Sequence, residues 1–360
     1  MKLFENYRGL LFLSCIFLLF ASFGWAEGDY TSEDAFVFED YIIGGTDGVI
    51  ITAYIGEDAT VNVPPTLGGK QVIAIGEGNK YDATAMGGGG GWEAKAFCNS
   101  AAESITFPEG LLQIQDAALA NWNLTEVHLP ASLVSMVGNP FVGRWDNARL
   151  EALTVAAGNA VFSLNQQGML MQDAGTGNAS LRFWLQNSMA DFISEEGVLT
   201  FPAAAGIKKI GPTAVINDWS STAEVKTLVF PPGLIAIAEA AFAKCNFLES
   251  AILPEGLLSL GGAAFRCPIT LPASLTTLGG NPAIGHVINI AAGNDSFHYD
   301  ENNFLLNADA TTVYAWRQTD EQMVVPLVLP NTLVAIADFA FTQCNIEVGV
   351  LNLPPALTVL

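Results

Sequence analysis

The chain has 360 residues, 36 acidic against 14 basic, and a formal net charge of −22 at neutral pH. That excess argues against nucleic acid or an anionic membrane surface as partner, because phosphates would be repelled. Hydrophobic residues make up 51% and charged residues 14%, the balance of a packed chain and not of a solvated acidic tail.

The first element is a leader. Lys2 and Arg8 precede the apolar run 10–23, and Gly24-Trp-Ala26 places small residues before a cut at Glu27. Residues 1–26 therefore read as a secretory signal peptide. The rival is an uncleaved anchor, for which the uncharged stretch 9–26 lies at the short limit of a membrane span. No other segment is apolar and long enough to cross a bilayer, so no membrane span is expected in the mature chain. Residues 27–60 carry Asp29, Glu33, Asp34, Glu39 and Asp40 and are expected to form an N-terminal cap on a domain filling 61–360.

That domain is repetitive. Nine prolines share one frame, clearest around Pro254: Leu248-Glu-Ser-Ala-Ile-Leu253-Pro254-Glu-Gly-Leu257-Leu-Ser-Leu260-Gly-Gly-Ala-Ala264-Phe265. Apolar residues stand at −3, −1, +3 and +6, small ones at +7 and +10, and often Phe at +11, as at Phe242, Phe265 and Phe341. The same frame surrounds Pro108, Pro130, Pro231, Pro272 and Pro330, and in looser form Pro64, Pro202 and Pro354. The −3/−1 pair alternates as on a strand with one buried face, and proline, which cannot donate to a ladder, marks that strand's end. A single unit cannot bury these residues; stacked units can.

Two long gaps, from Pro130 to Pro202 and from Pro272 to Pro330, resemble each other. Each starts with Ala-Ala-Gly-Asn (156–159 and 291–294) and continues to an aromatic, Phe162 or Phe297. Each then shows two apolar runs across a polar turn: 169–171 and 181–185, then 304–306 and 313–316. These spacings predict β-hairpin excursions projecting from the side of the stack, within a larger duplicated block.

The repeat resembles the BspA-type leucine-rich repeats, whose units read L-x-x-V-x-L-P-x-x-L-x-x-I-G-x-x-A-F-x-x-C, over roughly residues 40–360. The resemblance implies a β-rich α/β repeat: a leucine-rich-repeat solenoid with short parallel strands on one face. It also implies a secreted or surface-exposed protein associated with adhesion, with no catalytic residues to carry over. Leu360 falls at +6 of its unit, before the closing turn, so the last repeat reads as incomplete.

Residues with chemistry are few. Cys98, Cys245, Cys267 and Cys344 each follow the Ala-Phe position or its equivalent, which suits a buried ladder residue; a Cys245–Cys267 disulfide between adjacent rungs is the alternative. His128 falls at −2, an outward strand position. His298 stands beside Asp300 and Glu301, where a metal or acid–base site competes with plain turn chemistry, since the other hairpin has Ser163-Leu-Asn165-Gln166 there. Trp184 and Trp316, on the second strands of the hairpins, are either local packing or a platform for a ligand; Trp92, Trp122, Trp145 and Trp219 lie in inserts or loops. With His128 and His298 they form the set of possible ligand contacts. No nucleophile elbow, metalloprotease helix or phosphate loop occurs, and no catalytic, cofactor-binding or metal-binding residue is assigned. The expected function is non-catalytic binding of an extracellular protein or glycan. The alternatives are envelope self-assembly through the open C-terminal rung and a carbohydrate-active enzyme.

Overall fold

The computed structural model describes residues 30–77, 96–98, 100–143, 148–219, 221, 223–317, 328–344 and 353–359. The leader 1–26, the glycine-rich insert 87–91, Trp92, Trp145 and Leu360 lie outside these residues.

Each repeat makes one turn of a coil. The −3 to −1 strands stack in parallel, first as Thr60–Asn62, Ser104–Thr106, Glu126–Leu129 and Ala152–Val155. They stack again as Val198–Thr200, Thr227–Val229, Ser250–Ile252, Ile269–Leu271 and Ile288–Ile290. The chain then reverses at proline. In seven repeats the +3 amide donates to the proline carbonyl, Leu257 to Pro254 at 3.2 Å being typical. Where +2 is Gly110, Gly233 or Gly256, φ is positive at 102°, 73° and 95°, which glycine adopts without a steric cost.

The returning +5/+6 residues build a second parallel ladder, so strands occupy two faces and not the single face expected. Lys209–Ile210, Ala236–Ile237, Ser259–Leu260 and Thr277–Leu278 form it in the middle of the chain. A minor third ladder pairs Ile216–Asn217 with Lys244–Cys245. Between the second and third faces the chain turns at +9 with positive φ in non-glycine residues: Ala117, Ala240, Ala263 and Phe339.

Neighbouring turns are stitched by side chains. Ser132 and Ser274 accept from the amides of Gly110 and Gly256 in the rung before and donate to Leu111 and Leu257 carbonyls. Asn159 donates to the Pro130 and Leu133 carbonyls, and Asn294 does the same to Pro272 and Leu275. The duplication read from the sequence is thus repeated bond for bond.

The hairpins correct the expectation that they project from the stack. Phe162–Leu164, Met169–Gln172 and Ser180–Trp184 are antiparallel, and the last of these pairs in parallel with Lys209–Ile210, so the hairpin continues the second ladder. Leu170 and Phe183 face the core of the preceding repeats, while Met169, Met171, Leu181 and Trp184 face the core of the following ones. Phe297–Tyr299, Phe304–Asn307 and Thr312–Trp316 repeat the arrangement: Leu305 and Ala315 face backward, and Phe304, Leu306, Val313 and Trp316 face forward. Each hairpin is a partition buried on both sides, which explains its uninterrupted apolar strands.

A third hairpin with the same strand pairing, but with an outer strand buried on one face only, lies within the expected cap and is not apparent in the sequence. Phe36–Ile43 pairs antiparallel with Thr46–Tyr54, whose Val49–Ile51 segment pairs in parallel with Lys70–Ile75. All three hairpins carry a bulge at the same place, leaving Thr52, Arg182 and Tyr314 as the extra residues. Two residues on, Tyr54, Trp184 and Trp316 donate their amides to Ala96, Ala214 and Ala340. The chain is three blocks, each opened by a hairpin.

Candidate functional site

The first partition leaves the stack through a short helix, Gln186–Met189, and a 3₁₀ turn, Ala190–Phe192. These cross the end of the first block near 149–151, and residues 217–219, 221 and 223–226 lie opposite. Between them opens a hollow of about 260 Å³, lined by Arg149, Glu151, Gln186, Asn187, Met189 and Ser221 among others. Past Ile193 and Ala223 it continues into a second hollow of about 350 Å³ with Glu195, Glu224 and Lys226 in its wall. Together they form one groove along the seam of two blocks.

The walls are held by their own polar groups. Asn217 is buried; its amide donates to the Ala223 carbonyl at 2.6 Å and its oxygen accepts from the Val225 amide at 2.7 Å, fixing the loop. Asn187 donates to the Glu151 carbonyl at 3.3 Å, tying the helix to the first block. The Ser221 amide donates to the Asp218 carbonyl. Among the described residues the Ser221 hydroxyl is buried without a hydrogen-bond partner.

Two exposed tryptophans adjoin lining residues without lining either hollow themselves: Trp122 against Arg149, and Trp219 between Asn217 and Ser221 in the chain. The Arg149 guanidinium lies 4.5 Å from the centroid of the Trp122 ring, a cation–π contact, and Trp122 is 40% exposed. Trp219, on the loop, is 77% exposed and meets Phe247 edge-on at 4.9 Å. The charges are mixed. Lys226 lies 3.8 Å from Glu224 in an exposed pair worth little, and the Ser194 hydroxyl lowers the pKa of the neighbouring Glu196. Chemically the groove offers amides, hydroxyls, charged groups of both signs and apolar side chains. Among the described residues no group of three or more His, Cys, Asp or Glu is placed to hold a metal ion.

The candidates chosen from the sequence lie elsewhere. Trp184 is fully buried and Trp316 is 9% exposed, so neither is a ligand platform; both are partition residues. Their indole N–H groups donate to the Gln167 and Asn302 carbonyls at 2.9 and 3.1 Å. His128 lies on the outward face of the first ladder, bonded to the Thr154 hydroxyl at 2.7 Å and 3.3 Å from the Glu126 carboxylate. His298 is exposed, but Asp300 accepts from the Asn302 and Phe304 amides. Asn165 accepts from Gln167 and Met169 in the same way, so the motif around His298 is turn chemistry common to both hairpins. Cys245 and Cys267 are buried free thiols and not a disulfide; burial pushes both pKa values up, that of Cys267 to about 12. The Asn217 cap and the exposure of Trp219 were not foreseen. The one signal was that Trp219 lies outside the repeat frame, which gives it no packing duty.

Parallel strands stacked around a continuous apolar core, one short turn per proline frame, define a leucine-rich-repeat solenoid. Six copies of the BspA-type leucine-rich repeat region match residues 92–162 and 203–282, and the stretch between them holds the first partition. Both matched stretches of the chain are BspA-type leucine-rich repeats. Among solved structures it is similar to the pneumococcal vaccine antigen PcpA, at 14% identity over 92% of this chain and 98% of that one, with a TM-score of 0.39. A leucine-rich-repeat protein from Eubacterium ventriosum matches at 12% identity over 90% and 93%, with a TM-score of 0.37. The T. pallidum leucine-rich-repeat protein TpLRR matches at 17% over 73% and 86%, with a TM-score of 0.31. No curated protein matches the chain. No helix among the described residues is long and apolar enough to cross a membrane.

Proposed function

We propose that the chain is a secreted or cell-surface binding protein that engages an extracellular protein or glycan through the seam groove and performs no catalysis. The observation that carries this reading is the contrast in how side chains are used. The recurring residues of the repeat are committed to packing, whereas Trp122, against the groove residue Arg149, and Trp219, between the groove residues Asn217 and Ser221 in the chain, stand exposed. Exposed aromatics on a fixed scaffold are suited to recognition, because they bury large area with little loss of side-chain freedom. The repeats support the same reading, since such scaffolds present extended binding surfaces.

The test is to screen the purified chain on arrays of glycans and extracellular proteins at low and high salt. A hit that persists at high salt and is lost in Trp122→Ala and Trp219→Ala is expected. Hits that survive both substitutions contradict the assignment of the groove.

A further inference from the structure

We propose that the outer edge of the N-terminal hairpin accepts one extended strand of a partner protein, antiparallel to Phe36–Ile43 and carrying a lysine or arginine opposite Asp40. None of the residues of this edge lines the seam groove, so the two sites stand or fall separately. The partitions of the same chain carry the inference.

Met169–Gln172 and Phe304–Asn307 stand where Phe36–Ile43 stands in the first hairpin, the bulge fixing the alignment. In both partitions a third, antiparallel strand closes their outer edge: Phe162–Leu164 in one and Phe297–Tyr299 in the other. It is docked by main-chain bonds, from the Asp173 amide to the Val161 carbonyl at 2.8 Å and from the Asn165 amide to the Met169 carbonyl at 3.0 Å. The bulge makes Met169, Met171 and Asp173 the counterparts of Phe36, Phe38 and Asp40. The first hairpin has no such third strand. The residues before it go to the other ladder, where the Thr31 amide donates to the Asn62 carbonyl at 2.9 Å. Among the described residues no strand pairs with the outer edge of Phe36–Ile43, which at eight residues is the longest strand that ends a sheet.

The geometry of that edge suits an added strand. Gly44 and Gly45, at φ of 56° and 89°, form a two-residue turn, so Ile43 and Thr46 are the first bonded pair. Alternation along the strand then turns the main-chain N–H and C=O groups of Phe38, Asp40 and Ile42 outward, in agreement with the partitions. Val37 is 45% exposed and Ile42 is 68% exposed. Outward ladder groups beside exposed aliphatic side chains form a template for strand addition.

Charge selects the strand. Lys70 lies 2.9 Å from Asp40 and 3.7 Å from Asp47, one ammonium between two exposed carboxylates, in a chain of net charge −22. A second copy, in the register that sets Ile42 against Phe38, would bring the two Asp40 side chains opposite each other, and opposed like charges weaken a ladder. A basic residue opposite Asp40, with an apolar residue two positions to either side, satisfies the charge and covers Ile42 and Phe38.

Fluorescence anisotropy on the full chain tests this. The probe is the labelled peptide Thr-Val-Thr-Lys-Thr-Val-Thr, and the comparison is the same peptide with Glu in place of Lys. The expected result is saturable binding of the lysine peptide and roughly tenfold weaker binding of the glutamate peptide. Ile42→Pro should abolish binding at an unchanged denaturation midpoint, because it removes an outward N–H and leaves the inward ladder intact. Asp40→Lys should reverse the preference between the peptides, and it decides the matter if Ile42→Pro lowers the midpoint. No binding of the lysine peptide, equal binding of both peptides, or binding unchanged in Ile42→Pro overturns the proposal. A dimer of the peptide-free chain in sedimentation equilibrium, lost in Ile42→Pro, also overturns it and gives the edge to a second copy.

Discussion

The N-terminal hairpin and the two internal partitions are one supersecondary unit in two settings. The residue before the bulge is Val37 in the first, Leu170 in the second and Leu305 in the third. Val37 is 45% exposed, whereas Leu170 and Leu305 are fully buried. One position earlier, Phe36, Met169 and Phe304 are all buried, because each faces the block that follows. The outer strand of the first hairpin, Phe36–Ile43, therefore has one buried face, whereas the matching partition strands have two. Composition tracks this: the first strand carries Glu39 and Asp40 and ends its exposed positions with Ile42, while the partition strands read Met-Leu-Met and Phe-Leu-Leu. The lesson is that a hairpin inserted into a solenoid becomes a wall between cores when both of its faces are apolar, and a cap when one is charged.

The largest expected effect is at the wall. Trp184→Ala removes a fully buried indole that touches Phe192 and Phe201, and should cost about 3–5 kcal/mol in chemical denaturation. Trp316→Ala should cost less, because its ring is slightly exposed. Equal losses would break the view that the first partition joins the two large cores.

The bulge residues sharpen the comparison. Arg182 is turned back onto the preceding block, where its guanidinium donates to the Met136 and Gly138 carbonyls, and burial lowers its pKa. Arg182→Ala should cost about 1–3 kcal/mol through the two stranded carbonyls. Thr52→Ala, whose hydroxyl reaches only the Val37 carbonyl at an exposed edge, should stay within about 0.5 kcal/mol.

The closing turns give a smaller effect of opposite sign. Ala240 and Ala263 hold φ of 53° and 51°, a conformation that costs an L-residue roughly 1–2 kcal/mol. Ala240→Gly should therefore be neutral or stabilising by up to about 1 kcal/mol, despite glycine's greater freedom in the unfolded chain. A clear loss of stability would show that this turn is not strained.

The smallest effect is a pH dependence at the second partition. Glu239 has its pKa raised to about 7, first by burial and then by Asp338 across the junction. A raised carboxyl pKa favours the folded state while the group is protonated. The contribution is therefore complete at acid pH, below the ordinary glutamate value of 4.5, and is lost as pH rises through about 7. The denaturation midpoint should fall over that window, and Asp338→Asn should make the fall smaller and end it at lower pH, because the like charge that helps raise the Glu239 pKa is gone. At the first partition the corresponding acid, Asp116, favours the charged form of Arg182, so no matching loss is expected there.

The repeat was legible because proline, leucine and phenylalanine each have one geometric duty, repeated in a fixed frame. The second ladder was legible only as a +3/+6 pair of apolar positions, since two-residue strands leave no alternation to read. The first hairpin was missed because charge interrupts its outer strand and tyrosine stands where the partitions have tryptophan. Its trace was the pattern apolar-x-apolar-aromatic in Ile51–Tyr54, shared with Leu181–Trp184 and Val313–Trp316. Trp184 and Trp316 read as possible ligand contacts only if the hairpins leave the stack, whereas the unbroken apolar strands point to burial on both faces. The groove could not be read at all, because it joins residues near 150, 186–193, 217–219, 221 and 223–226 that only the duplicated topology brings together.

The most direct measurement compares Val37→Ala, Leu170→Ala and Leu305→Ala by equilibrium denaturation. The account predicts a loss of about 2–5 kcal/mol for each partition leucine and less than about 0.5 kcal/mol for Val37. Similar losses at all three positions, or small losses at both leucines, would contradict a hairpin that is a cap at one place and a wall at two others.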